Sequence, residues 1–270
     1  MCRLVNLAIT LSFFAILTAG CADDRDAPAP SSATTTAEPP ANDSIAAALS
    51  APDRLAGDAA EDAHRRPTEI LRLLELQPGM RVIDYFAGGG YYTELLARIV
   101  GPEGSVIAYN NDAYQKYAAD KPAQRYGNDR LSNVEQITAA PESLPLDAGT
   151  LDAALIINAY HDLHWHSKDG SWPTTDPQAS LAALARALKP NAVVIVLDHV
   201  ATSGSDPAVS VDTLHRIDPE IIKRDFAAAG FELEAQSDAF RNPQDTLSVA
   251  VFDPAVLHKT DRVLFKFRKK

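Results

Sequence analysis

The chain has 270 residues, of which 46% are hydrophobic and 23% are charged, a composition typical of a globular protein and not of a disordered one. This length is enough to bury one sizeable hydrophobic core. The formal net charge of −11 disfavours binding to a phosphate backbone, so we expect no nucleic-acid partner.

The N-terminal residues have the pattern of an export signal. Arg3 precedes an apolar run over residues 4–17, which is too short to span a bilayer comfortably and has the length of a signal-peptide core. The next residues, Thr18-Ala19-Gly20-Cys21, resemble a lipobox, although Thr18 stands where an aliphatic residue is usual. The resemblance implies that residues 1–20 are removed and that Cys21 carries a lipid. An ordinary secretory signal that is cut nearby is the alternative.

The lipoprotein resemblance also implies a location. Ala22 follows Cys21 where an aspartate would often signal retention in the inner membrane, so the outer membrane, facing the periplasm, is favoured. The lipid anchor is then the only membrane contact that we expect. Because Cys2 lies in the removed segment and Cys21 is acylated, the mature chain offers no thiol for a disulfide, a metal or a nucleophile.

A tether is predicted between the signal and the folded domain. Residues 21–44 are small, polar and rich in proline, a composition that cannot offset the entropy cost of ordering. No internal repeat follows, so the sequence predicts one domain over residues 45–270.

Helices and strands are predicted to alternate through this domain, which indicates a parallel sheet covered on both faces. Proline at the first turn predicts three helices, which begin at Pro67, Pro177 and Pro219. Strands are predicted over residues 80–86, 105–111, 134–140, 151–160 and 193–200, and a further helix over 91–101. Residues 231–237 and 262–267 supply two last strands, which we expect to form an antiparallel pair.

A carboxylate and three glycines occupy the first strand-to-helix crossing. Asp84 ends the strand, and Gly88, Gly89 and Gly90 allow a ligand to approach the backbone and the N-terminus of the next helix. This arrangement predicts a cofactor site in a crevice at the strand ends. The spacing matches neither the dinucleotide-binding motif nor a P-loop, which disfavours a dinucleotide or a nucleoside triphosphate. A glycine-rich turn without a ligand is the alternative.

Three segments together resemble class I S-adenosylmethionine-dependent methyltransferases: LQPGMRVIDYFAGGGYYTELLARIVGPEGSVIAYN, LPLDAGTLDAAL and LARALKPNAVVIVLDH. More narrowly, the chain is similar to a family of predicted methyltransferases with exported members, which share GGGYYTE, YHD and HRIDP. The resemblance covers roughly residues 54–268. It implies a Rossmann-like α/β fold whose seven-stranded, mostly parallel sheet has an antiparallel last strand. It also implies that S-adenosyl-L-methionine is the cofactor and lies across the first strand ends.

The resemblance implies roles for individual residues of the cofactor site. Asp84 would hold the methionine end of the cofactor, at its ammonium group. The floor of the site would be formed by Ala87, Gly88 and Gly90, and the cofactor carboxylate would contact Tyr92 or Thr93.

Two positions depart from the wider superfamily. The second strand ends in Asn110-Asn111, with Asp112 beyond, where an acid usually binds both ribose hydroxyls, and an amide offers one acceptor oxygen where a carboxylate offers two. Ribose binding is therefore expected to be weaker or differently arranged. After the third strand, Ala140-Pro141 replaces the usual aspartate and small residue near the adenine, which leaves Glu142 as the nearest acid.

Candidate catalytic residues lie at the end of the fourth strand. His161, with Asp162 beside it, is a candidate general base for an acceptor that carries a proton. Tyr160 and Asn158 are candidates for orienting the acceptor.

A metal site is the competing interpretation of this segment. His161, His164 and His166 offer three imidazoles within six residues, enough for an open zinc-like site if the chain turns suitably. The spacing matches no metal motif, however, and we assign no metal ligand. Instead we expect His164 and His166 to lie on an exposed loop with Trp165 and Trp172 packed beneath.

Further charged residues are expected near the same strand ends. Asp198-His199 closes the fifth strand and His215-Arg216 precedes a helix, so both pairs are candidates for lining the cleft. For Arg216 we favour a local ion pair with Asp218 or Glu220. Arg65, Arg66 and Asp62 form either part of a lid or a solvated charged face.

The sequence thus predicts a methyltransferase that uses S-adenosyl-L-methionine and acts on a small molecule. Neither the acceptor nor the oligomeric state can be read from it. Because the cofactor is made in the cytoplasm and the signal predicts export, two alternatives remain. One is a methyltransferase-like fold repurposed to bind a nucleoside or another small ligand, and the other is a histidine-metal hydrolase.

Overall fold

The structure is a computed structural model that describes residues 41–167 and 170–270. The predicted signal peptide, the lipid on Cys21 and the tether up to residue 40 lie outside the described residues, so these stay predictions. No helix in the described ranges is long and apolar enough to cross a membrane.

Helices and strands alternate along the described residues. In chain order they are α1 (Ala41–Ser50), α2 (Asp58–Arg65), α3 (Pro67–Leu71), β1 (Arg81–Tyr85), α4 (Tyr91–Val100), β2 (Ser105–Asn110), α5 (Asp112–Ala118), α6 (Lys121–Tyr126), β3 (Val134–Thr138), β4 (Leu151–Ile157), α7 (Pro177–Ala187), β5 (Leu188–His199), α8 (Pro207–Leu214), α9 (Pro219–Ala228), β6 (Phe231–Ser237) and β7 (Arg262–Lys269). Short 3-10 turns lie at Arg72–Leu74, Gly127–Asp129, Pro141–Ser143 and His161–His164.

The seven strands form one sheet in the order β3-β2-β1-β4-β5-β7-β6. The pairs from β3 to β5 are parallel, whereas β7 runs antiparallel to both β5 and β6. The predicted fold class is therefore confirmed, including the antiparallel closing pair. This topology brings the carboxyl ends of β1, β2, β4 and β5 to one edge of the sheet.

Helix starts follow the predicted capping residues. The Asp176 side chain accepts hydrogen bonds from the backbone N–H groups of Gln178 and Ala179, and the Asp218 side chain accepts one from Glu220. Both helices then enter at a proline, which has no N–H to leave unpaired. The apolar pattern after Pro67, TEILRLLEL, predicts a helix that continues to Leu76, but the α-helix ends at Leu71 and passes into a 3-10 turn.

The N-terminal boundary of the folded part differs from the prediction. Helix α1 begins at Ala41, so the last residues of the predicted tether are helical. Ile45 and Ala48 are buried in the same apolar cluster as Leu95 and Leu96 of α4. The residues just before the predicted boundary therefore extend a helix that is held by packing against α4.

Arg216 does not make the predicted local ion pair. Its side chain is fully buried and pairs with Asp245, which lies in the excursion between β6 and β7, at 2.8 Å from Nη1 to Oδ2. The Nη1 group also donates to the carbonyl of Val200, and Nε donates to that of Val249. Asp218 instead caps α9 and accepts from the N–H of Gly204. Because the Arg216 side chain points into the core, it pairs with Asp245 and not with the acids that are close to it in sequence.

Candidate functional site

Asp84 ends β1 as a buried carboxylate beside the glycine turn. It is 3% exposed, and the Thr93 hydroxyl donates to its Oδ2 at 2.6 Å. Burial raises the pKa of Asp84 to about 6, although the hydrogen bonds from Thr93 and the charges of Arg125 and Arg65 oppose the rise. Asp84 is therefore ionised at neutral pH, and a cationic group is its natural ligand.

Asn110 is engaged with the glycine turn itself. The N–H of Gly88 donates to Asn110 Oδ1 at 2.9 Å, and Asn110 Nδ2 donates to the carbonyl of Gly88 at 3.3 Å. Both ends of the amide thus bracket one peptide unit of the turn. The residue predicted to contact ribose holds the shape of the turn in this structure.

Helix α6 covers one side of the turn and leaves the other side open. Arg125 Nε donates to the carbonyl of Gly89 at 2.7 Å, and a Cβ placed on Gly90 would lie 1.8 Å from the Tyr126 hydroxyl oxygen. Gly90, whose φ is 80°, is therefore required for both its conformation and its lack of a side chain. A Cβ on Gly88 would meet no atom within 4 Å, so the turn is accessible at Gly88.

Phe86 is a part of the turn that sequence reasoning missed. Its φ of 59° is unusual for a bulky residue and indicates local backbone strain. The ring stacks on Tyr114 of α5, with centroids 4.5 Å apart and planes 11° apart. The strained backbone thus directs an aromatic side chain between the glycine turn and α5. No local sequence pattern signals this conformation.

A cavity of about 270 Å³ lies where β2 and β3 end. It is lined by residues of both strand-end loops and of the segment before α7, among them Asn111, Asp112, Lys116, Pro141, Glu142 and Thr175. The Asn111 Oδ1 accepts from the N–H of Tyr114, but its Nδ2 is buried without a hydrogen-bond partner among the described residues. A buried N–H donor without a protein partner is costly, so this amide is a candidate to donate to a ligand. Glu142, predicted as the nearest acid, does line the cavity, although one of its oxygens accepts from the N–H of Asp176.

The predicted catalytic segment holds a buried imidazole between two carboxylates. His161 Nδ1 lies 2.8 Å from Asp198 Oδ1, and His161 Nε2 lies 3.4 Å from Asp162 Oδ1. The N–H of His161 also donates to Asp198 Oδ2 at 2.8 Å. The hydroxyl of Tyr114 donates to Asp162 Oδ2 at 2.6 Å. The four residues form one chain of contacts, which we call the His161 cluster (Tyr114, Asp162, His161 and Asp198).

The charge of His161 argues against its predicted role as a general base. Burial lowers the pKa of His161, but the charges of Asp162 and Asp198 outweigh burial and raise it to about 9. At neutral pH both ring nitrogens therefore carry protons, and no lone pair is free to accept another. Burial raises the pKa of Asp162, while His161 and Tyr114 oppose that rise. Asp162, a carboxylate with a raised pKa, is the better proton acceptor of the pair.

This charge state predicts a pH-dependent stability. The folded-state pKa of about 9 exceeds the unfolded value of about 6.5, so the contribution is complete below pH 6.5 and is lost as pH rises through 9. The shift corresponds to about 3 kcal/mol. In urea unfolding, the stability difference between wild type and His161→Gln should shrink by roughly this amount from pH 6 to pH 10. His166→Gln, at an exposed position, is the matched control. A difference that does not change with pH would contradict the assigned charge.

Tyr160 and His164 contact a different carboxylate. The Tyr160 hydroxyl donates to Asp225 Oδ2 at 2.8 Å, and His164 Nε2 lies 3.0 Å from the same oxygen. Tyr160 is completely buried, and its ring packs on Phe226 of α9. The structure therefore places its hydroxyl in the contact with α9 and apart from the His161 cluster. The expectation that His164 lies on an exposed loop is wrong, because Asp225 draws it inward.

The three histidines of this segment do not converge. His161 and His164 bind separate carboxylates, and His166 is exposed. The described residues contain no group of three or more metal-ligating side chains placed to hold a metal ion. Trp165 and Trp172 do stack, at 4.8 Å, and Trp172 also contacts the Tyr114 ring edge-on at 5.2 Å. They form an aromatic wall beside the His161 cluster.

Comparison with known proteins agrees with this geometry. Residues 83–196 match the family described as "Methyltransferase domain". Over 129 residues the chain is 32% identical to a ubiquinone/menaquinone biosynthesis C-methyltransferase of Teredinibacter turnerae. This aligned segment is 47% of this chain and 46% of that protein. The corresponding enzyme of Shewanella oneidensis is 27% identical over 183 residues, 66% of each chain. The chain thus spans about half the length of the first of these relatives.

Solved structures superpose on about three quarters of this chain. An S-adenosylmethionine-dependent methyltransferase of Aquifex aeolicus superposes with a TM-score of 0.54 at 20% identity, over 76% of this chain and 89% of that one. The fold is that of the class I methyltransferases. This methyltransferase fold and the matched family imply S-adenosyl-L-methionine as the cofactor. A [4+2]-cyclase also superposes, with a TM-score of 0.55 at 19% identity over 77% of this chain and 81% of that one. The same fold therefore supports more than one reaction.

The residues present fit this cofactor. Asp84 offers an ionised carboxylate to an ammonium group, and the turn is accessible at Gly88. The cavity at the ends of β2 and β3, with the unpaired amide of Asn111, offers space and a donor for a nucleoside. Two predicted contacts are engaged elsewhere: the Tyr92 hydroxyl donates to the carbonyl of Arg65, and the Thr93 hydroxyl donates to Asp84. Ala87 takes part through its backbone, since its N–H donates to the carbonyl of Tyr109 and its carbonyl accepts from Gly90.

Proposed function

We propose that this chain is an S-adenosylmethionine-dependent methyltransferase whose small-molecule acceptor binds at the ends of β4 and β5. The observation that carries the proposal is the link between two adjacent sites. Tyr114 stacks on Phe86 of the glycine turn and donates to Asp162 of the His161 cluster. Tyr114 thus connects the glycine turn, where the cofactor is proposed to bind, with the buried carboxylate of Asp162, which can accept a proton.

The proposed roles follow from the contacts and charges. When bound, the cofactor supplies an electrophilic methyl group. Asp84 holds its ammonium group, and Asn111 donates to its nucleoside part. Asp162 accepts the proton that the acceptor loses, because burial raises its pKa even though the His161 cation beside its Oδ1 opposes that rise. Asp198 positions His161 through bonds to both its backbone N–H and its ring.

The names of the relatives favour a particular acceptor chemistry. The matched relatives are called C-methyltransferases, and methyl transfer to a carbon that bears a hydrogen leaves a proton to be removed. We infer that the acceptor here is also a weak carbon, oxygen or nitrogen acid. With an acceptor that has no proton to lose, Asp162 would have no proton to accept.

Transfer of a labelled methyl group tests the proposal. The purified chain is incubated with tritiated S-adenosyl-L-methionine and the small-molecule fraction of a bacterial extract. A labelled product that requires the chain is expected, and its retention by chromatography gives the first information on the acceptor. Cofactor binding without any labelled product from fractions of differing polarity would argue for a binding protein instead.

A further inference from the structure

Two arginines share one buried aromatic ring at the start of β7. Arg262, the first residue of that strand, lies over Phe240 with its Cζ 4.8 Å from the ring centroid. Arg66, between α2 and α3, lies at the same distance from the same centroid. Phe240 itself is 4% exposed. Two like charges are thus brought close together by the packing of distant parts of the chain.

Arg262 has no carboxylate partner among the described residues. Its Nε is buried without a hydrogen-bond partner, and its Nη2 makes one long contact of 3.5 Å to the carbonyl of His64. Burial lowers the pKa of Arg262, and the charges of Arg66 and Arg65 lower it further, against opposing effects of Tyr92 and of the more distant Asp198 carboxylate. The desolvation of this cation and its repulsion by like charges are therefore not relieved by an ion pair.

The two fully buried arginines in the described ranges, in contrast, are each paired with an acid. Arg125 pairs with Asp58 and Glu94, and Arg216 pairs with Asp245. In a chain with a formal net charge of −11, a partly buried arginine without an acid beside it is an exception. Such an arrangement indicates a place where an anion binds from outside the protein.

Arg65 and Arg66, the two arginines whose charges act on Arg262, form only weak surface pairs with acids. Arg65 lies 3.2 Å from Glu61 and Arg66 lies 3.7 Å from Glu69, and all four side chains are more than one third exposed. Pairs of this kind contribute little in water and rearrange easily. Arg66 also donates to the carbonyl of Ala239, and Arg65 lies over the Tyr91 ring at 4.6 Å, but neither contact uses all the N–H donors of its guanidinium group, so donors remain for a ligand.

This arginine cluster (Arg65, Arg66 and Arg262) borders the proposed site. Arg262 is paired in register with His199, which follows Asp198 of the His161 cluster. The charges of Arg65 and Arg262 act on Tyr92, as does that of Asp84. The cluster thus lies beside the end of β5 and close to the start of α4.

We propose that Arg262, Arg66 and Arg65 bind an anionic group, a carboxylate or a phosphate, that belongs to the methyl acceptor. This inference rests on the proposed function and adds the class of acceptor to it. Guanidinium groups bind both anions through paired N–H donors, and the buried Nε of Arg262 supplies a donor that has no other use. The cofactor also carries a carboxylate, so the test must distinguish these two sources.

Inorganic phosphate and acetate serve as probes at constant ionic strength. The full chain is titrated with each, and binding is followed through the Nε–H resonances of the arginines in ¹H–¹⁵N spectra. We expect saturable binding that shifts the Arg262 resonance. Arg262→Met should weaken it by about tenfold or more, and Arg262→Lys by less, because a lysine keeps the charge without the paired donors. Arg241→Met is the matched control, since Arg241 is exposed and paired with Asp261.

The same titrations are repeated with saturating S-adenosylhomocysteine. Persistence of phosphate binding, with the affinity for S-adenosylhomocysteine unchanged in Arg262→Met, supports an acceptor subsite. Displacement of phosphate by S-adenosylhomocysteine, together with a weaker affinity in the variant, assigns the arginines to the cofactor and overturns the proposal. Absence of saturable binding, or equal weakening in Arg241→Met, also overturns it. If phosphate binds but S-adenosylhomocysteine does not, the proposed function fails and the acceptor assignment fails with it.

Discussion

Arg216→Met is expected to lower the free energy of unfolding by about 3–5 kcal/mol, because it leaves the Asp245 carboxylate buried without a counter-charge. Both side chains of this pair are 0% exposed. Asp245 keeps two backbone donors, the N–H groups of Asp261 and Leu247, and these lessen the loss without replacing a cation. The carbonyls of Val200 and Val249 lose their donors as well. Urea unfolding followed by circular dichroism measures the change.

A surface arginine of the same region provides the control. Arg241→Met removes the partner of Asp261, but Arg241 is 42% exposed, so we expect a loss of about 1 kcal/mol or less. The double variant Arg216→Met/Asp245→Asn should be less destabilised than the sum of its single variants. Each single variant leaves one buried charge without its partner, whereas the double variant removes both charges. A loss below about 1 kcal/mol in Arg216→Met would show that water reaches Asp245.

Asp162→Asn is expected to slow methyl transfer by about 100- to 10,000-fold while leaving the cofactor affinity within a few-fold of wild type, the range in which loss of a positioned general base falls. The amide keeps an acceptor oxygen for the Tyr114 hydroxyl but cannot take up a proton at neutral pH. Rates from the labelled-methyl assay and affinities from calorimetry separate the two effects.

Tyr160→Phe distinguishes this assignment from the one that the sequence favoured. Its hydroxyl contacts Asp225 and not the His161 cluster, so its removal should leave the transfer rate within about tenfold of wild type. If Tyr160→Phe lost as much activity as Asp162→Asn, Tyr160 would face the acceptor after all. If Asp162→Asn kept most of the activity at an unchanged melting temperature, Asp162 would not be the base.

Most of the fold could be predicted from the sequence because the residues that begin and end its helices and strands form local patterns. Capping aspartates followed by proline mark the starts of α7 and α9, and the glycine turn marks the crossing from β1 to α4. The short helices α5 and α6 were not predicted. Helix α6 is held by ion pairs between Arg125 and residues of α2 and α4, and such tertiary contacts leave no periodic pattern in the sequence.

The site was readable only where its residues are neighbours in sequence. Asp84 and Thr93 lie within one motif, and the structure joins them directly. The charge of His161 depends on Asp198, which lies 37 residues away, so adjacency to Asp162 alone suggested a base where the structure has a cation. Arg262 was missed because its lack of a partner is a property of the packed structure.

Calorimetric titration with S-adenosyl-L-methionine and S-adenosylhomocysteine tests the central claim most directly. We expect micromolar binding of both ligands to the wild-type chain near pH 7.5, where Asp84 is ionised. In Asp84→Asn, which keeps an acceptor for Thr93 but loses the charge, affinity should fall by about tenfold to a hundredfold. No heat of binding at millimolar ligand, or equal affinity in wild type and Asp84→Asn, would contradict a cofactor held at this turn.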